Sequence, residues 1–148
     1  MEYIKTIVFS ALLLGSMSLI SGTAIFGQLA IPSEQTLAII GYDGLLFGLS
    51  EVKTDERNLS VEIATPFVPN EDTEFEAWLV DDKRGGSAYY LNLGVLNENG
   101  TLNYNEHLMS PYTYTHLEIT SEPANDLDPR PDTSNIVGTA ELVPPFGK

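Results

Sequence analysis

Two histidines, His107 and His116, lie close together in the sequence with Met109 between them. Imidazole and thioether together suit copper if a hairpin folds the three side chains onto one site. A blue-copper centre also takes a cysteine thiolate, and the chain has no cysteine. The stronger reading of His116 therefore makes it part of an aromatic strand surface with Tyr112 and Tyr114, which alternation places on its own face. A second set of ligand types is acidic. Asp126, Asp128 and Asp132, with Glu122 and Asn125, are hard oxygen donors of the kind Ca²⁺ gathers in groups of six to eight. Their spacing fits no EF-hand loop, and the competing reading is a solvated acidic loop. Asp81-Asp82 is a weaker candidate still, because Lys83 and Arg84 follow it directly.

No stretch of the chain places a nucleophile beside a base. There is no Gly-x-Ser-x-Gly elbow, no His-Glu-x-x-His and no phosphate-cradling glycine loop. The sequence thus assigns no catalytic residue and no cofactor apart from the Ca²⁺ alternative, and the expectation is a protein that is not an enzyme. Asn58-Leu59-Ser60 and Asn99-Gly100-Thr101 satisfy the N-glycosylation sequon, which matters only in a host that glycosylates exported proteins. Tyr89, Tyr90, Tyr104, Tyr112 and Tyr114 form a recognition surface or cap a sheet. Both readings stand, since a tyrosine has a rigid apolar body and a polar tip.

The elements that position these residues read as strands. Thr36 to Ile40 and Leu45 to Leu49 flank Gly41-Tyr42-Asp43-Gly44, and Asp-Gly between two apolar runs is a hairpin signal. Leu59 to Thr65 alternates with period two. Phe75 to Val80 holds the only tryptophan, Trp78, and reads as a central strand; Tyr89 to Leu96 follows, then Asn97-Glu98-Asn99-Gly100 as a second hairpin signal. Thr101 to Tyr104, Tyr112 to Thr120 and Ile136 to Val143 complete the set. Pro123, Pro129 and Pro131 make an irregular loop of residues 121 to 135. About eight strands with turns every 8–12 residues and no helical period predict an all-β fold, an antiparallel β-sandwich or barrel.

The 148 residues suffice for one domain. With 21 acidic against 7 basic residues the net charge is −14, so a polyanionic nucleic acid is excluded as a partner. From Thr6 to Ser33 there is no charge, and Ile7 to Ile20 is almost wholly apolar behind Lys5. That is the pattern of a signal peptide, with small residues around Ala24 and Gly27 for cleavage. The apolar run extends through Ile31, long enough to span a bilayer uncleaved. Residues 1–27 are thus a signal peptide or a membrane-anchoring export helix, with membrane contact through residues 7–27 if uncleaved. Residues 34–148 form the extracytoplasmic β-sandwich domain.

From Phe75-Glu76-Ala77-Trp78-Leu79-Val80 onward the sequence resembles the extracytoplasmic C-terminal domain of anti-sigma-K factors, whose mark is an aromatic-x-x-Trp-hydrophobic strand. Leu93-Gly94, the strand Ile119 to Pro123 that runs into Glu-Pro, and the return to a hydrophobic strand at Ile136 keep the order. The resemblance implies a β-sandwich. It does not bring the sigma-binding activity, because only Met1 to Lys5 precede the apolar run, and the glycine-rich stretch after Glu-Pro is replaced by Ala124-Asn125-Asp126-Leu127-Asp128. The expectation is an exported envelope module, secreted or anchored, that binds a protein or glycan. The alternative is a self-associating subunit of a surface filament or layer, in which residues Ile25 to Ile31 add a strand to a neighbour. A metal-binding protein is the third reading.

Overall fold

A computed structural model describes residues 33–83 and 86–147. The expected export helix, residues 1–27, lies outside the described residues. The described chain is all-β: β1 (Ser33–Gly41), β2 (Leu46–Asp55), β3 (Asn58–Ala64), β4 (Thr73–Asp81), β5 (Tyr89–Val95), β6 (Thr101–His107), β7 (His116–Pro123) and β8 (Ile136–Glu141). A single 3₁₀ turn, Pro111–Thr113, precedes β7.

Local alternation explains most of these strands. In β3, Leu59, Val61 and Ile63 point into the core while Glu62 faces solvent. In β1, Leu37 and Ile39 are buried between exposed neighbours. Two to three apolar side chains per strand, each contributing about 1.5–3 kcal/mol on burial, favour one register, because a slip of one residue would turn every one of them outward.

The strands form one antiparallel sheet in the order β5-β4-β7-β8-β1-β2-β3-β6. The ladders β2–β3 and β3–β6 each run over seven residue pairs, whereas β1 meets β8 only at Ile40–Thr139 and Gly41–Gly138. The sheet curls around a core built from Ile39, Val52, Val61, Ala77, Leu79, Leu117 and Ile119 among others. It is nearly closed: β5 and β6 are its two ends, and no ladder joins them.

Two expectations change. Asn97-Glu98-Asn99-Gly100 does form a turn, with Gly100 N–H donating to Asn97 O and Gly100 at φ +72°. The strands it joins do not pair with each other, however; β5 lies on β4 and β6 on β3. A Cβ at Gly100 would sit 2.2 Å from Thr65 O, so the turn is held against the end of β3 and carries the chain from one end of the sheet to the other. Tyr112 and Tyr114 do not share a strand face with His116, because Pro111 fits the first position of a 3₁₀ turn and delays β7 to His116. Tyr114 is buried in the core, and Tyr112 packs edge-on to Phe146. Phe75 to Val80 lies on β4, which β5 and β7 flank as expected of a central strand, and its Trp78 points away from the main core, on the same face as Glu76 and Val80.

Candidate functional site

At one end of the sheet the β3–β4 and β7–β8 links meet hairpin β1–β2. Its turn closes with Gly41 N–H on Leu45 O at 2.8 Å and Gly44 N–H on Gly41 O at 2.9 Å, while the Asp43 carboxylate accepts from Leu45 N–H at 2.9 Å. Gly44 takes φ +78°, the conformation that an Asp-Gly turn needs. Beyond the turn, Leu45-Leu46-Phe47 are consecutive and apolar, and a strand cannot turn three successive side chains to one side. Phe47 is buried, which leaves Leu45 66% and Leu46 56% exposed.

Phe47 organises the floor. It stacks on Phe67 with ring centroids 5.1 Å apart and meets Phe75 edge-on at 5.4 Å. The Thr65 hydroxyl fixes the approach of the β3–β4 link by donating to Phe47 O at 2.5 Å and accepting from Phe67 N–H at 3.2 Å. On the far wall Gly138 leaves room for Phe47, since a Cβ there would lie 2.8 Å from Ile39 Cγ2 and 3.2 Å from the Phe47 ring. The result is an open groove of about 540 Å³ lined by Tyr42, Leu45, Leu46, Phe47, Phe67, Ile136 and Val137, with Asp43, Ser121, Ser134 and Asn135 as polar margin. A smaller hollow of about 270 Å³ adjoins it over Ile40, Tyr42 and Ile136. Tyr42 is 99% exposed and Phe67 48%, with Val68 and Ile40 also exposed nearby.

A second cluster lies on the outer face of β4 and β7. Trp78 is only 1% exposed. Its indole N–H donates to Thr120 Oγ1 at 2.9 Å, and its ring meets Tyr90 edge-on at 6.4 Å. His116 Nε2 and Glu118 Oε1 are 2.9 Å apart. Glu118 holds the imidazole pKa above its ordinary value, against the opposing effect of burial. Glu118 Oε2 is buried without a hydrogen-bond partner. Burial pushes the Glu76 carboxyl up; Asn92 pulls it back, and the charges of Glu122, Glu74 and Asp126 add to the rise.

The residues singled out in the sequence fall in separate places. His107, on β6, shares a hydrogen bond of 3.2 Å between its Nδ1 and Asn58 Oδ1. β8, β1, β2 and β3 separate it from the strand of His116 in one direction, and β4 and β5 in the other. Asp128 is engaged by Arg130 through two side-chain contacts of 2.9 and 3.0 Å, which holds its pKa below the usual range. Asp132 accepts from Ser134 and Asn135 and is lowered likewise. Asp126 accepts from Asp128 N–H. Among the described residues no three His, Asp or Glu side chains come together as a metal-binding group. Asn58 opens β3 and Asn99 sits in the turn after β5; both are exposed. The apolar groove was missed in the sequence, although the run Leu45-Leu46-Phe47 carried its signal. No family model, curated protein or solved structure matches the chain.

Proposed function

We propose that the protein is a non-catalytic binding module of the cell envelope, exported by its N-terminal segment, that engages a partner through the groove at the β1–β2 end. One observation carries this reading: Tyr42, Leu45, Leu46 and Phe67 are exposed together around one concavity. Scattered apolar residues are ordinary on a protein surface, but a contiguous patch rimmed by polar groups marks an interaction site. The position of the groove fits the reading. β1 begins at Ser33, paired with Thr54 at the opposite end of the sheet, and its length puts the hairpin turn about 25 Å away. A domain anchored ahead of Ser33 would thus turn its groove away from the membrane. The resemblance to the anti-sigma-K extracytoplasmic domain belongs to the same reading. A sandwich-like flattening of the sheet is supported by the two-pair junction between β1 and β8.

The second reading, a filament or layer subunit, is favoured by the unpaired edges of β5 and β6, which would accept a strand such as Ile25 to Ile31 of a neighbour. The neutral dye Nile red tests the primary reading. It should bind the folded protein at one site and be lost in the double variant Leu46→Ser/Phe67→Ser, with cooperative unfolding retained. Equal dye binding by variant and wild type would remove the groove as the recognition surface.

A further inference from the structure

We infer that the groove takes a cationic amphipathic polypeptide segment, with apolar side chains seated over Phe47 and flanking Lys or Arg side chains at the rim. This rests on the groove reading above and adds the charge of the partner to it.

The distribution of charge on the described chain leads to this conclusion. Asp43 lines the groove, and Asp132 directly precedes the lining segment Thr133 to Val137. Asp72 and Asp126 belong to the two adjoining links, which are tied together by Ala124 N–H on Asp72 O at 2.9 Å. Among the described residues the only base at this end is Arg130, and Asp128 already engages it in a bidentate pair. Lys53, Arg57 and Lys83 lie near the ends of β2, β3 and β4 remote from the groove. An apolar ligand arriving there meets a field of one sign, which favours a cation and repels an anion.

The same charge argues against the other occupants. A second copy would bring another −14 to the contact, and an anionic lipid surface would be repelled in the same way. A polypeptide suits the shape, because the groove is open and polar at its margin, with Ser134 and Asn135 beside Ile136 and Val137. Ser134 and Asn135 each donate to Asp132, which leaves their side-chain oxygens as acceptors for the N–H groups of an extended backbone.

The test uses three synthetic peptides of one length, alternating Leu with Lys, Leu with Ser, or Leu with Glu, titrated calorimetrically into the intact protein. The Leu/Lys peptide should bind, weakening at least about tenfold between roughly 50 and 300 mM NaCl as exposed charges are screened. It should weaken several-fold in the triple variant Asp43→Asn/Asp72→Asn/Asp132→Asn and be lost in Leu46→Ser/Phe67→Ser. Equal binding of the Leu/Ser and Leu/Lys peptides, both lost in Leu46→Ser/Phe67→Ser, would leave the groove reading standing and overturn the cationic partner. Binding of Leu/Lys that survives Leu46→Ser/Phe67→Ser would overturn the inference as bulk charge attraction. No peptide binding, or a groove-dependent dimer in sedimentation, would overturn it as well, with the dye result deciding separately on the groove.

Discussion

The side-chain amide of Gln35 binds the backbone of Val143 in both directions: Nε2 donates to Val143 O at 2.6 Å, and Oε1 accepts from Val143 N–H at 3.0 Å. β1 and β8 part after two residue pairs, so beyond that point an extended ladder is absent and a buried side chain stands in for it. Gln35 thereby couples the start of β1 to the chain that follows β8.

Gln35→Ala should therefore destabilise by about 1–3 kcal/mol, since it leaves two backbone groups without partners in a partly buried place. Urea unfolding should show a lower midpoint with an unchanged m-value. Gln35→Glu keeps the acceptor but loses the donor and should not restore stability.

Trp78→Phe keeps an aromatic ring and removes the hydrogen bond to Thr120. The expected loss is at least about 1 kcal/mol for the bond, with a further cavity term for the smaller ring. Because Trp78 is the only tryptophan, its fluorescence in the wild type should resist acrylamide quenching until the protein unfolds. A double-mutant cycle with Thr120→Val isolates the hydrogen-bond contribution.

His116 gives stability a dependence on pH. Its hydrogen bond to Glu118 holds the imidazole pKa above the ordinary 6.5, with Glu141 and Asp82 acting in the same sense and burial opposing. The folded-state value is the higher one, so this stabilisation is complete below about pH 6.5 and is lost as pH rises through the folded value. The melting temperature should fall as pH rises above about 6.5, and His116→Gln should flatten that slope. Glu76 is also raised, from 4.5; its contribution fades as pH rises through the acidic range, so the two are separable by pH window.

Gly138→Ala puts a methyl group 2.8 Å from Ile39 Cγ2 and 3.2 Å from the Phe47 ring. Overpacking there should cost about 1–3 kcal/mol. Because Phe47 also floors the groove, the substitution should weaken Nile red binding. A variant that unfolds earlier but binds dye unchanged would show that the floor does not depend on this contact.

Strand identity was largely legible because it is local. Leu59, Val61 and Ile63 reveal β3 by alternation alone, and Asp43-Gly44 marks the β1–β2 turn by backbone chemistry. Partnership between strands was not legible. Nothing in Asn97 to Gly100 tells that β5 and β6 diverge, because the cause is distant: Gly100 is pressed against Thr65. The outward direction of Trp78 was hidden for a similar reason, since its partner Thr120 lies 42 positions away. In the acidic loop, residue types suggested ligands, but local hydrogen bonds to Arg130, Ser134 and Asn135 already engage Asp128 and Asp132.

The junction of β1 with β8 also bears on time. β8 is the last described strand and β1 the first, and the Gln35 bridge spans 108 positions. The sheet cannot be completed until β8 has been made, and contacts of such separation place folding in the millisecond-to-second range. During that interval β7 and β1 would present bare edges, which invite pairing with other chains. A fragment ending at Asn135 should accordingly aggregate, and the nascent protein needs the edges of β1 and β7 kept from other partners until β8 joins them.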